Sequence, residues 1–145
     1  MKKTKEVQQE LVNTMQQWQE IERRSIASTG AVMVRTKNPL LQLVMEIIQH
    51  DSHLHHRIQQ MIVDSVGDKP LALAPEDTTA VSQLLDNHMK LENEMIENVT
   101  ATLAQVRAKK MVVQEYLLRF LVEDEKKHAS MLSSLEHVKK GMFPT

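Results

Sequence analysis

The 145-residue sequence has no cysteine, only three glycines and four prolines, and an aromatic content of 3%. Without thiols, disulfides, zinc–thiolate sites and iron–sulfur clusters are excluded. So few glycines and prolines leave few places to interrupt a helix, and the shortage of aromatics weakens any case for strands. No apolar run approaches membrane-spanning length, and the basic start Met1-Lys2-Lys3-Thr4-Lys5-Glu6 has no apolar signal core behind it. The net charge is −1, and the Arg107-Ala108-Lys109-Lys110 run reads as a solvated turn, so no nucleic-acid footprint is expected. The expectation from these absences is a cytoplasmic, all-α protein of one domain, residues 1–145.

The sequence is instead rich in helix formers, arranged in heptad-like apolar seams. Four helices are expected, at about 3–35, 39–66, 76–107 and 110–139. The first runs through Gly30, because Ala31-Val32-Met33-Val34 resumes an apolar pattern and one interior glycine costs only about 1 kcal/mol. Asn38-Pro39 reads as cap and first residue of the second helix, and Gly67 as its stop. The stretch from Gly67 to Ala74, with Pro70, is the main connector, and Gly141 and Pro144 end the last helix.

Each seam is interrupted near its middle by ionisable residues. The first helix reads Leu11, Met15, Trp18, Glu22, Ser25, Thr29, Val32; the second reads Leu41, Val44, Ile48, Asp51, His55, Ile58, Ile62. The third carries His88 and Glu92 between Leu85 and Met95, and the fourth carries Asp124 and His128 between Leu121 and Met131. Buried charges cost several kcal/mol (roughly) unless paired or metal-bound. Counted from the turns near Lys37 and Lys109, the polar positions lie at depths agreeing within about one helical turn, so two antiparallel hairpins would bring them to one level. Met15, Met95, Met131 and Trp18 read as core filling.

The halves also repeat. A shift of 70 carries Glu22 onto Glu92, and a shift of 73 carries Asp51 and His55 onto Asp124 and His128. Carboxylates and imidazoles without thiols suit Fe, Mn or Zn. Glu125-Lys126-Lys127-His128 is an E-x-x-H pair, and a bundle di-metal site takes one Glu from each of two helices and one such pair from each of the others.

On these residues the chain resembles the ferritin-like superfamily, the ferritin and rubrerythrin-type di-iron bundles. Glu22 and Glu92 take the lone-Glu places and Glu125/His128 the pair of the last helix, while the second helix has Ser52-His53-Leu54-His55 where E-x-x-H belongs. Asp51 is the candidate substitute for the missing carboxylate. The resemblance implies an antiparallel four-helix bundle built from two repeated hairpins. It also implies a mono- or dinuclear iron site that oxidises Fe(II) with O₂ or peroxide, with Glu22, Asp51, His55, Glu92, Glu125 and His128 as ligands and His88 and Asp124 as further candidates. The nine residues 67–75 reach about 30 Å extended against roughly 40 Å along a bundle. A third helix starting near Thr79 gives a reach of about 43 Å against about 35 Å, so the lengths tolerate a ferritin crossover and mildly favour up-down-up-down order. His88-x-x-x-Glu92 also looks like a hemerythrin-type pair. The competing expectation is a non-catalytic bundle with a degenerate polar core, acting through partner contacts. Apolar residues on the outer helix faces suggest a homodimer or higher homo-oligomer.

Overall fold

The computed structural model describes residues 1–67 and 71–142, and these form five helices and no strand. They are α1 (Thr4–Arg35), α2 (Pro39–Ser65), α3 (Pro75–Thr79), α4 (Ser82–Ala108) and α5 (Val112–Met142). The chain divides into two compact units, residues 1–71 and 72–145. The connector expected around Pro70, and the stop at Pro144, fall outside the described residues. No helix among the described residues is long and apolar enough to cross a membrane.

Unit 1 is a hairpin of α1 and α2. Its turn is set by Asn38, whose Oδ1 accepts from the backbone N–H groups of Leu40 and Leu41 at 3.0 and 3.1 Å. Pro39, which has no N–H to satisfy, takes the first helical position. Helix α1 is continuous through Gly30, where a Cβ would stand 3.5 Å from the Gln49 amide. That amide donates to the Ile26 carbonyl at 3.1 Å across the hairpin. Further along, Ser25 meets Ser52 at 2.9 Å and Gln19 donates to Gln60 at 3.1 Å, so falling numbers in α1 meet rising numbers in α2. The helices are antiparallel.

The line of contact follows the expected seam of α1 at Met15 and Thr29 but departs from it at Gln19, and on α2 at Ser52 and Gln59. Met15, Gln19 and Thr29 are buried on α1, and Ser52 and Gln59 on α2. Trp18, Leu41, Ile48 and Ile58, all expected in the core, are exposed. Two helices touch along one strip only, and at Gln19, Ser52 and Gln59 that strip lies one position to the side of the heptad line.

Unit 2 pairs α4 with α5 around Val99, Leu103 and Val122, with Ile96, Val106 and Leu118 packed against them. Met95 and Met131 stand outside this core and are exposed, unlike Met15. The third expected helix, 76–107, is broken into α3 and α4. Three β-branched residues sit at the break, Thr78, Thr79 and Val81. Both threonine hydroxyls bond back to the Pro75 carbonyl, at 3.2 and 2.8 Å, and Val81 leaves helical geometry at φ −120°.

The α4–α5 turn places Lys110 at φ 55°, while the Met111 N–H bonds the Val106 carbonyl at 3.2 Å. A left-handed residue after a helix is normally glycine, because a Cβ is strained there. Arg107 grips Glu115 across the turn at 3.0 Å, and Arg119, one turn further along α5, grips it at 3.1 Å. Lys110→Gly should therefore stabilise the protein by about 0.5–1 kcal/mol, the relieved strain exceeding the added freedom of the unfolded chain. Thermal unfolding followed by circular dichroism should show a rise of a few degrees; a fall would mean that the turn is unstrained.

Candidate metal centre

The contact strip of α4 and α5 is apolar at Val99 and Leu103 but meets an acid one or two turns earlier. Glu92 is only 6% exposed. It is held there because its neighbours on the same face, Ile96 and Val99, are committed to α5. Across from it, α5 presents Asp124, Glu125 and His128. One ligand atom from each of Glu92, Glu125 and His128 lies within 4.8 Å of the others. His128 Nδ1 stands 3.5 Å from Glu92 Oε1 and 3.7 Å from Glu125 Oε2. From one turn earlier on α4, His88 Nε2 reaches Glu92 Oε1 at 2.8 Å.

Asp124 and Glu125 adopt different places. Asp124 Oδ2 lies 3.4 Å from the other imidazole nitrogen, His128 Nε2, and Asp124 also pairs with Lys127 at 2.7 Å. An Nε2–H donated to Asp124 leaves the Nδ1 lone pair directed at the two glutamates. This is the carboxylate–imidazole arrangement that orients a metal-binding histidine. Glu125 is thus the ligand candidate and Asp124 the residue that orients His128.

Glu92 Oε2 is buried and has no hydrogen-bond partner. A buried carboxylate oxygen left so is costly, and a proton or a cation removes the cost. A proton on Glu125 would serve in the absence of metal, and the titration of the two acids leans that way. The hydrogen bond from Glu125 holds the Glu92 pKa below its ordinary value, against the opposing effect of burial and with help from His88 and His128. The same bond, then burial and the Glu92 charge, raise the pKa of Glu125. A divalent ion displacing that proton would be held by two carboxylates and Nδ1, with His88 beside them. Met131 and Leu132 form the apolar rim of the opening over this group.

Hairpin 1 brings Glu22 and His55 together, His55 Nδ1 lying 3.3 Å from Glu22 Oε1. Gln59 Nε2 donates to the same oxygen at 3.4 Å. Asp51 is half-buried, and among the described residues no ion pair or hydrogen bond to its carboxylate is seen. It is adjacent to the contact strip, whereas Ser52 is on it, buried and paired with Ser25. A carboxylate at 52 would have completed E-x-x-H; the serine hydroxyls close that place instead. His50 and His53 are exposed and His56 is half-buried.

Sequence reasoning missed the buried amides Gln19 and Gln59. The signal for Gln59 was its spacing, four residues after His55 and so on the same face of α2.

No protein-family model, no curated protein and no solved structure matches this chain. What the geometry defines is an all-helical chain with a compact carboxylate–imidazole group on α4 and α5.

The opposite shifts of Glu92 and Glu125 give the metal-free protein a pH dependence with a definite sign. Glu125, raised, contributes stability that is lost as pH rises through its folded pKa; Glu92, lowered, contributes stability lost as pH falls through its own. Glu125→Gln puts a permanent N–H donor beside Glu92. Melting temperatures of metal-free wild type should fall as pH rises from about 5 to 8, and the variant should show a flatter profile. Equal slopes would exclude a proton shared between these residues.

Proposed function

We propose that this protein binds a divalent transition-metal ion, iron in the first instance, through Glu92, Glu125 and His128, with His88 as an additional donor. The observation that carries the reading is Glu92. It is a buried carboxylate with an unsatisfied oxygen, facing a second carboxylate and an imidazole at ligand distance from one another. Two carboxylates and one or two imidazoles without a thiol favour Fe(II), Mn(II) or Zn(II) over softer ions. Three or four protein ligands leave coordination positions for water or a small oxidant.

The reading extends to the fold. Some apolar residues of the expected seams are exposed on both hairpins, Ile48 and Ile58 on one, Met95 and Met131 on the other. We take these faces to close on each other in an antiparallel, ferritin-like four-helix bundle with the ionic groups at one level. Fe(II) held there would lose one electron to O₂ or peroxide and become Fe(III), the acids stabilising the higher charge. Such a reaction places the protein in a reducing compartment, the cytoplasm, where Fe(II) persists. The outer apolar residues leave a homo-oligomer as part of the same proposal.

A second reading rests on the Glu92–Glu125 proton. A group that neutralises itself without metal suits a non-catalytic bundle acting through partner contacts. The two readings part on metal content. Protein loaded anaerobically with Fe(II) and freed of excess ion should retain iron by elemental analysis, and Glu92→Ala or His128→Ala should abolish retention at this site. Asp124→Asn should leave the ligands in place and lower affinity by about 10–100-fold, since only the orientation of His128 is loosened. Iron retention that is equal in wild type and His128→Ala would sink the metal reading.

A further inference from the structure

The strip shared by α4 and α5 does not end at the ionic group. Beyond Glu92 it runs on, away from the turn, through Met89 and Leu85 of α4, and beyond His128 through Leu132 and Leu135 of α5. On the turn side of the acids the apolar residues are packed together, at Val99, Leu103 and Val122. On the far side these four are only half-buried, and they line a cavity of about 280 Å³. Facing apolar residues on paired helices ordinarily interlock, because an unfilled space forfeits their contacts. Here the break at Thr78–Val81 turns α3 aside from the line of α4, and Thr78 becomes part of the cavity wall.

The charges around this space do not balance. Lys139, its side chain 22% exposed, is already engaged: Nζ donates to Glu136 Oε1 at 2.9 Å and to Thr78 Oγ1 at 3.4 Å. Asp86 lies exposed at the mouth, and among the described residues no ion pair or hydrogen bond to its carboxylate is seen. Ser82, one turn earlier on the same face of α4, also lines the cavity. Two carboxylates and one ammonium leave one negative charge unmatched beside an apolar recess. An anionic ligand would have to displace Glu136 from Lys139 and face Asp86 as well. A cation attached to an apolar body meets both features.

We infer that this cavity binds a small primary amine, its ammonium on Asp86 and the Ser82 hydroxyl and its apolar body against Leu85, Met89, Leu132 and Leu135. Apolar lining with a few placed polar groups is the usual make-up of a small-molecule site. An ammonium carries three donors, which a carboxylate, a hydroxyl and a water can satisfy together. At roughly 30 Å³ for each non-hydrogen atom, the space admits about nine of them. Leu132 also borders the opening over Glu92 and His128, so the two sites are neighbours. The inference uses none of the metal ligands and stands whether or not a metal binds.

The test is a titration of the metal-free full chain with phenethylamine and with hexylamine, followed by amide-proton NMR. Both should shift the signals of Ser82, Asp86 and Leu135 saturably. Phenethyl alcohol, of the same size and uncharged, should bind about tenfold more weakly, and the anion hydrocinnamate should not bind. Asp86→Asn should weaken both amines about tenfold with helical content unchanged. Lys139→Met, which removes a competing ammonium, should tighten them; a loss of packing alone would not give opposite signs. Should the asparagine variant fail to fold, the sign of the Lys139→Met effect decides. The inference is overturned if neither amine gives saturable shifts at these residues, or if the alcohol binds as well as the amine. Binding that ignores Asp86→Asn and vanishes in Glu92→Ala would put the amine on the acids beside His128 and refute this site. Iron retention is measured separately, so the failure of either reading leaves the other to its own result.

Discussion

Glu92 and Glu125 stand side by side on the one strip where α4 and α5 touch, and most of what is distinctive in the second hairpin follows from that pairing. Two ionised carboxylates cannot occupy such a place with only each other for company. Something positive must sit between them, whether a proton, the imidazolium of a neighbour or a metal ion. The surroundings supply each possibility. His88 and His128 approach from the two helices, Asp124 turns the ring of His128, and the apolar rim of Met131 and Leu132 limits access by water. The apolar core begins only at Ile96, so the ionic group and the packed core divide the same strip between them.

The first hairpin shows the same plan with its charge reduced. Glu22 keeps its place and so does His55, but the second carboxylate has become Ser52, locked to Ser25. Amides and hydroxyls therefore fill positions that acids hold in the other half. A strip with one acid needs less compensation than a strip with two, and Glu22 accordingly meets an imidazole and an amide rather than another carboxylate. The repeat is structural in both halves and electrostatic mainly in the second.

How far the sequence revealed this can be traced through particular residues. Helix-forming composition, the Asn38-Pro39 start and the run through Gly30 were legible because each depends on local chemistry. The break at Thr78–Val81 was not, since a periodic seam continued across it and the competition came from hydroxyl-to-carbonyl bonds that periodicity does not register. Pairing of Glu22 with His55 and of Glu92 with His128 could be read from equal depths along the helices. The residues on the contact strip were read one position wrong in the second helix, Asp51 for Ser52. A heptad line marks the centre of an apolar face, while the line of contact between two helices is chosen by their packing. Gln59 was passed over for a related reason: a glutamine on a helix is ordinarily a solvated residue, and only its enclosure makes it notable.

The connections that close the two hairpins, residues 36–38 and 109–111, are three residues each. Short closures make every pairing described above a nearest-neighbour event along the chain, with little loop entropy to overcome. During synthesis the leading hairpin can assemble its carboxylate, imidazole and amide while the trailing one is still unmade. The contacts of Glu22 with His55 and Gln59 would then act as a clasp on a half-finished protein, holding α1 to α2 before the second hairpin exists.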